Sequence, residues 1–310
     1  MRHSPRVVRM TETAESTLKI HLLGCGTPTP SPGRFGSSNL IETAAGGVLV
    51  DCGPGTMTKI SKSGVSLAKI NALAITHLHF DHVSGVPSFV LTRWDQLADS
   101  ATPLRVIGPP GTANFIERLF GATGAFAVDT HARISHPASV AVHQRRGGSA
   151  ERQAPVVEVT ELDASTGPTT LSDLTVTAGR AAHVQPYLSC NTYRFEHPAG
   201  TIGITGDTRY SVEVAKDLHG VDTLVCCCRS HQDRMSLLGL DSTLCGTVDA
   251  GRLAGSVGAR RLVLTHMGAE LDIPEQRVKA RQDIARVFAG DLVFAEEGMA
   301  MDLASDPPES

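Results

Sequence analysis

The stretch Thr76-His77-Leu78-His79-Phe80-Asp81-His82 decides how this chain is read: four metal-binding side chains within six residues, directly after the apolar run 70–75. In an extended segment side chains alternate faces. His77, His79 and Asp81 are therefore expected on one face, with a turn after Phe80 bringing His82 beside them. Such a cluster has donors for two adjacent cations. Burying three imidazoles and a carboxylate without a cation or partners would be costly, so a metal site is a better reading than a solvated His-rich loop.

Working outward, residues 70–76 form an apolar strand that delivers the cluster at its C-terminal end, where a rigid sheet commonly presents catalytic groups. Upstream, residues 18–23 read as a strand. The loop Gly24-Cys25-Gly26-Thr27-Pro28-Thr29-Pro30 follows. It lacks the third glycine of a dinucleotide fingerprint and the Gly-Lys-Ser/Thr of a phosphate loop, which excludes both nucleotide motifs. Residues 38–42 and 47–51 read as paired strands, and Asp51-Cys52-Gly53-Pro54-Gly55 closes the second before a helix over 56–63.

Downstream the pattern predicts a helix over 86–97 carrying Trp94 as core or cavity wall, a strand over 104–107 and a helix over 111–120. Over 121–153 the pattern degrades. Arg145, Arg146, Gly147 and Gly148 read there as a flexible basic tip on a surface excursion, with a substrate-gripping arm as the alternative. Further strands are expected over 156–162, 174–179, 192–195, 201–205, 224–228 and 261–265. Helices are expected over 248–257, with Thr247 as N-cap, and over 274–288, with Val278, Ile284, Val287 and Phe288 inward. Residues 292–303 close the sheet region. The expected organisation is one domain over 18–303 between a flexible polar leader, 1–17, and a tail, 304–310.

At 310 residues and 41 % hydrophobic content the chain supports a substantial core. The net charge of −4 argues against a broad nucleic-acid-binding face but is compatible with a local basic groove. Seven cysteines (Cys25, Cys52, Cys190, Cys226, Cys227, Cys228, Cys245) are an odd number without regular spacing in a chain too large to need stapling, which suits a reducing cytoplasm. Residues 1–17 hold no apolar signal core, and no run reaches the ~18 apolar residues of a membrane span. A cytoplasmic location without membrane contact is the expectation.

Three more candidates follow strands: His183, Asp207 in Ile204-Thr205-Gly206-Asp207-Thr208, and His266 after Leu262-Val263-Leu264-Thr265. The set His77-x-His79-x-Asp81-His82, His183, Asp207 and His266 resembles the metallo-β-lactamase superfamily over nearly the whole chain. The resemblance implies an α/β fold, an αββα sandwich of two mixed sheets flanked by helices. It also implies that His77, His79 and His183 bind one metal, that Asp81, His82 and His266 bind a second, and that Asp207 bridges them. Gly24 to Pro28, Val50 to Thr56 and Gly206-Asp207-Thr208-Arg209 resemble the ribonuclease Z and arylsulfatase branch. All-His and Asp ligation suits two Zn2+, with Mn or Fe compatible. Asp81 is the expected catalytic proton acceptor or donor.

The departures from that branch bear on substrate. Ribonuclease Z carries a His-Glu pair after the strand that follows the bridging Asp, and a second His before the helix leading to the last ligand. Here that strand runs into Cys226-Cys227-Cys228, and no His lies between His231 and His266. Loss of the acid disfavours alkoxide leaving groups, because general acid catalysis supplies ~10² to 10⁴ in rate. A glycine-rich tRNA-gripping arm is also not evident in 121–153. The expectation is a hydrolase of a small ester-type molecule (phosphodiester, sulfate ester, carboxylic ester or lactone). The alternatives are tRNA 3′ processing, a diiron oxygen-using enzyme, or a non-catalytic metal-stabilised binding protein. His231 is a candidate replacement acid, set against an ordinary surface role. Tyr187 and Arg209, flanking His183 and Asp207, are candidates for holding substrate or a ligand. Successive cysteines in a strand point to opposite faces, so Cys226, Cys227 and Cys228 are not expected to converge on one ion. Core packing is their expected role, with Cys227 lining the pocket as the alternative. The resemblance also suggests a homodimer.

Overall fold

Apolar residues on alternate positions build two layers of core on the two faces of one sheet. Ile41, Val48, Val50, Ala72 and Ala74 face one layer; Leu40, Leu49, Leu73 and Ile75 face the other, and all are buried. Each large aliphatic removed from water contributes about 1.5–3 kcal/mol. The computed structural model describes residues 17–29, 31–97 and 103–303. The expected tail, and all of the expected leader but residue 17, lie outside the described residues.

Among the described residues fourteen strands follow in chain order: β1 (Leu18–Gly24), β2 (Ser38–Thr43), β3 (Gly47–Val50), β4 (Ile70–Ala74), β5 (Leu104–Gly108), β6 (Val157–Glu161), β7 (Thr169–Leu171), β8 (Leu174–Arg180), β9 (Asn191–His197), β10 (Gly200–Ile204), β11 (Thr223–Cys227), β12 (Arg261–Thr265), β13 (Asp291–Phe294) and β14 (Met299–Asp302). They form two mixed seven-stranded sheets, ordered β14-β1-β2-β3-β4-β5-β6 and β13-β12-β11-β10-β9-β8-β7. The inner faces share a core that includes Leu22, Val50, Tyr193, Phe195 and Val225. Helices such as Thr56–Ser63 and Val86–Gln96 cover the first sheet through Ile60, Val86 and Phe89.

Strands β3 to β6 run parallel, as do β10 to β13. Their carboxyl ends therefore emerge along one edge of each sheet, and the loops leaving those ends carry residues 51–55, 75–82, 205–211 and 266–273 to the same rim. Strand β8 joins them, because it is antiparallel to β9, which is antiparallel to β10.

Several expectations are corrected. Strand β4 stops at Ala74, and Phe80–Val83 is a helical turn. Simple alternation from His77 to Asp81 does not hold, because the turn begins at Phe80 and rotates Asp81 and His82 away from the extended path. Residues 121–153 are not a featureless tip: they hold helices Ala127–Ser135 and Pro137–Arg145. Arg133, Arg146 and Arg152 all converge on the Asp95 carboxylate, at 3.0, 2.8 and 3.0 Å. Trp94 stands beside them, its Nε1 donating to the Gln153 carbonyl at 2.9 Å and its ring 3.9 Å from the Arg152 guanidinium.

Thr247 is the first helical residue of Thr247–Val257, with Gly246 at the N-cap. Its hydroxyl instead accepts from the Gln232 N–H at 3.2 Å. The later helix runs Pro274–Ala285; Ile284 and Phe288 are buried but Val278 is 55 % exposed. Residues 292–303 divide between β13 and β14, which lie in different sheets. Among the described residues no helix is long and apolar enough to cross a membrane.

Candidate metal centre

Asp51 organises the approach to the cluster. Its backbone N–H donates to the Ala74 carbonyl at 2.8 Å, and its carboxylate accepts the Thr76 N–H at 2.8 Å and the Thr76 hydroxyl at 2.9 Å. The chain is thereby turned off β4 so that His77 points into the rim. Nε2 of His77 lies 3.0 Å from Nδ1 of His79, and Nε2 of His183 lies 3.3 Å from that same atom. With Asp207 these three imidazoles form one donor set, all within 4.8 Å of one another.

Asp81, His82 and His266 form a second set within the same limit. Nε2 of His266 lies 3.2 Å from Oδ2 of Asp81. Asp207 reaches both sets: its Oδ2 lies 3.7 Å from His183 Nε2 and 3.4 Å from His266 Nε2, while Oδ1 lies 3.6 Å from His82 Nε2. The structure thus brings all seven side chains to one rim.

Outer contacts aim the imidazoles. Nδ1 of His82 donates to Asp51 at 2.7 Å, and Nδ1 of His183 donates to the Thr243 carbonyl at 2.9 Å. In each ring this leaves the Nε2 lone pair facing inward, the arrangement that orients metal-binding histidines. Asp51 and His266 both adopt left-handed backbone, with φ 57° and 53°. Such conformations cost about 1–3 kcal/mol and persist where the surroundings over-determine them. The loop around Asp81 is equally constrained, since a Cβ at Gly53 would stand 2.2 Å from the Asp81 carbonyl oxygen and one at Gly36 would stand 2.3 Å from it.

Sequence reasoning did not single out Asp51 as a site residue. The available signal was an acid ending a buried strand in Asp51-Cys52-Gly53-Pro54-Gly55, three residues after Val48 in sequence and far from the cluster. The Thr243 carbonyl carries no sequence signal, because a backbone oxygen is offered by every residue.

Burial lowers the pKa of His77, and the neighbouring imidazoles lower it further; burial and His183 act likewise on His79. Burial also opposes charge on His82, but the carboxylates of Asp51 and Asp207 outweigh it and lift that imidazole to about 9. Burial alone would raise Asp81, yet the His266 hydrogen bond and the His82 charge hold its carboxyl below the usual range.

The donor chemistry fits a divalent metal. Asp81 Oδ1, Asp207 Oδ1 and His82 Nε2 are buried atoms with no hydrogen-bond partner. Imidazole nitrogens that meet at 3.0–3.3 Å also require a cation or a proton between them. The sets consist of His and Asp without thiolate, a composition suited to zinc and to other borderline divalent ions.

The remaining candidates lie apart. Tyr187 is 92 % exposed. Arg209 is exposed, its guanidinium donating to the Tyr210 carbonyl at 3.0 Å, while its backbone N–H ties the Asp207 loop to Ala182 at 2.9 Å. His231 is not a surface residue: it is 5 % exposed, both ring nitrogens lack a partner, and it belongs to neither donor set. The three consecutive cysteines are all buried and do not converge as a trio, Cys228 standing apart, but Cys226 and Cys227 do not follow simple alternation. Cys226 and Cys227 do meet, together with Cys245, within 4.8 Å. The Cys226 thiol leans along the strand, 3.3 Å from the Cys227 carbonyl, and so escapes simple alternation.

A family model described as Beta-lactamase superfamily domain matches residues 47–267. Ribonuclease Z of Mycobacterium bovis (strain BCG / Pasteur 1173P2) is 32 % identical over 213 residues, which cover 67 % of this chain and 69 % of that protein. Among solved structures, the metallo-beta-lactamase fold protein YhfI from Bacillus subtilis matches with a TM-score of 0.69 at 20 % identity, over 93 % of this chain and 100 % of that one. Human tRNase Z, short form, matches with a TM-score of 0.67 at 22 % identity, over the same shares. The two structural likenesses speak for the fold, and the family match and the mycobacterial relative speak for descent. With two mixed sheets presenting this ordered set of His and Asp at one rim, the chain belongs to the metallo-β-lactamase superfamily, among the hydrolases related to ribonuclease Z.

Proposed function

We propose that this protein is a dinuclear-metal phosphodiesterase. The observation that carries the reading is Asp207, whose Oδ2 lies near both His183 of one donor set and His266 of the other while its Oδ1 faces His82. In this reading His77, His79 and His183 hold one divalent cation and Asp81, His82 and His266 a second, zinc being the best match to the donors, with Asp207 shared. When bound, the cations supply Lewis acidity for the attacking water and for the scissile phosphoryl group.

The chain's own residues supply the rest. Asp51 and Thr243 hold two imidazoles in the donor orientation. Asp81 is kept as a carboxylate with one unpartnered oxygen, which suits it to accept a proton from the attacking water. Asp207, with an unpartnered Oδ1 of its own, keeps the two donor sets in register.

The relatives named Ribonuclease Z support an RNA substrate, and on this reading the 3′ extension of a tRNA precursor is the first to test. A second reading, a small diester with a stabilised leaving group, is favoured by one observation. Cys227 and Cys245, each at most 1 % exposed, occupy the segments where that branch carries its acid pair, and a sealed thiol is no proton donor to a leaving oxygen.

The test is a side-by-side assay of the zinc- or manganese-loaded protein on a tRNA precursor with a 3′ trailer and on bis(p-nitrophenyl) phosphate. Cleavage of the precursor supports the RNA reading; turnover of the aryl diester alone supports the second. If neither diester is cleaved while a carboxylic ester or lactone is, phosphodiesterase function is wrong.

A further inference from the structure

Behind the rim, the loop that carries Asp207 rests on a cluster of thiols. The amide N–H of Thr208 donates to the Cys227 sulfur at 3.3 Å, and the Thr208 carbonyl lies 3.1 Å from that sulfur. The same carbonyl accepts the Cys245 N–H at 2.7 Å. Cys226, Cys227 and Cys245 are 0 %, 1 % and 0 % exposed, form no disulfide, and bring their sulfurs within 4.8 Å of one another. Cys228 stays out, its sulfur turned toward the Ser230 carbonyl at 4.0 Å.

We propose that Cys226, Cys227 and Cys245 are a further cation site, for one thiophilic d10 ion such as Zn2+ or Cu+, seated directly beneath the Asp207 loop. Thiolate donors select such ions over the harder cations that carboxylates take. Zinc–sulfur bonds of about 2.3 Å place sulfurs of a shared ion roughly 3.8–4.0 Å apart, so the cluster closes on an ion with small side-chain adjustments. The Thr208 carbonyl, already against Cys227, is a fourth donor for a tetrahedral ion. Plain core packing accounts for the burial of thiols. It gives no reason for one strand residue to lean along its own chain so that three sulfurs from two segments face one point.

The consequence reaches the rim. The peptide that follows Asp207 donates to a sulfur of this cluster, so the ion would fix the carboxylate that both donor sets share. Binding replaces thiol protons with the cation and releases them to solvent.

The experiment uses the full chain, purified under reductant, loaded with cadmium and then with zinc. The His and Asp sets contain no sulfur, so thiolate-to-cadmium absorption and a sulfur shell in zinc X-ray absorption report on the cysteines alone. The expected result is three cations per chain, about one in three with sulfur neighbours near 2.3 Å. The folded C226S/C227S/C245S variant is expected to lose one cation and the whole sulfur signal. Two cations per chain with no sulfur shell in the wild type overturn the proposal, and need no variant to do so. A sulfur signal that persists in the folded triple variant, or a disulfide among the three in protein purified without reductant, also overturns it. Phosphodiester turnover is scored separately, so loss of this site leaves the reading of the rim intact.

Discussion

Asp51 accepts a 2.7 Å hydrogen bond from Nδ1 of His82, across 31 residues of sequence and between two side chains that are each 1 % exposed. The bond fixes which nitrogen of His82 faces the rim. Because the same carboxylate also turns Thr76, one acid sets both the exit of β4 and the aim of a donor. Replacing such an outer partner typically costs 10–100-fold in metal affinity. For Asp51→Asn we expect a loss of about that size at the site formed by Asp81, His82 and His266, with the other site less affected, read by calorimetric metal titration. Equal affinities in variant and wild type would refute the role.

Gly53 is expected to tolerate no side chain. A Cβ there meets the Asp81 carbonyl oxygen at 2.2 Å and the Gly36 backbone at 2.7 Å, and backbone cannot swing aside as a flexible side chain would. Gly53→Ala should therefore displace Asp81 and lower turnover at least ~10²-fold, the scale of a misplaced catalytic group. Circular dichroism separates this from global unfolding, and a folded variant with full activity would contradict it.

Leaving-group chemistry is a further test. On the small-diester reading, in which no acid serves the leaving group, rates across a series of aryl phosphodiesters should fall steeply as the leaving phenol becomes more basic. An alkyl diester should be slower by a further ~10² to 10⁴. A flat dependence would reveal a proton donor, and His231, buried with both ring nitrogens unbonded, would then be the residue to replace first.

The helical pair over 127–145 should respond to acid. Burial raises Asp95, but the hydrogen bonds from Arg146 and Arg152 and the Arg133 charge outweigh it and hold the carboxyl below its ordinary value. A depressed acid stabilises the fold above the unfolded-state value of ~3.9 and loses that contribution as pH falls through the lower folded value. Hydrogen exchange across 121–153 should therefore accelerate below about pH 4, after correction for intrinsic rates, and Asp95→Asn should produce the same loosening at neutral pH. The three arginines are partly to fully covered, so we expect about 1–2 kcal/mol locally. Unchanged protection in Asp95→Asn would sink the assignment.

Much of the architecture was legible because apolar runs ended by Gly and Pro leave few readings: Thr56–Ser63 and Arg261–Thr265 fall on their expected bounds. The seven His and Asp positions stood out because each follows such a run. What stayed hidden depends on partners remote in sequence. The Thr243 carbonyl behind His183 is backbone, Cys245 meets Cys226 and Cys227 only through the fold, and the segment holding helices Ala127–Ser135 and Pro137–Arg145 is tied down by the charge of Asp95. The division of 292–303 between two sheets likewise turns on where β14 finds β1.

The central claim is that two cations sit side by side at this rim with Asp207 between them. Anomalous diffraction from crystals grown with manganese or zinc tests it most directly. The account predicts two adjacent peaks, one among His77, His79 and His183 and one among Asp81, His82 and His266, each in contact with Asp207. A single peak, or two peaks with His183 or His266 turned away from them, would contradict it.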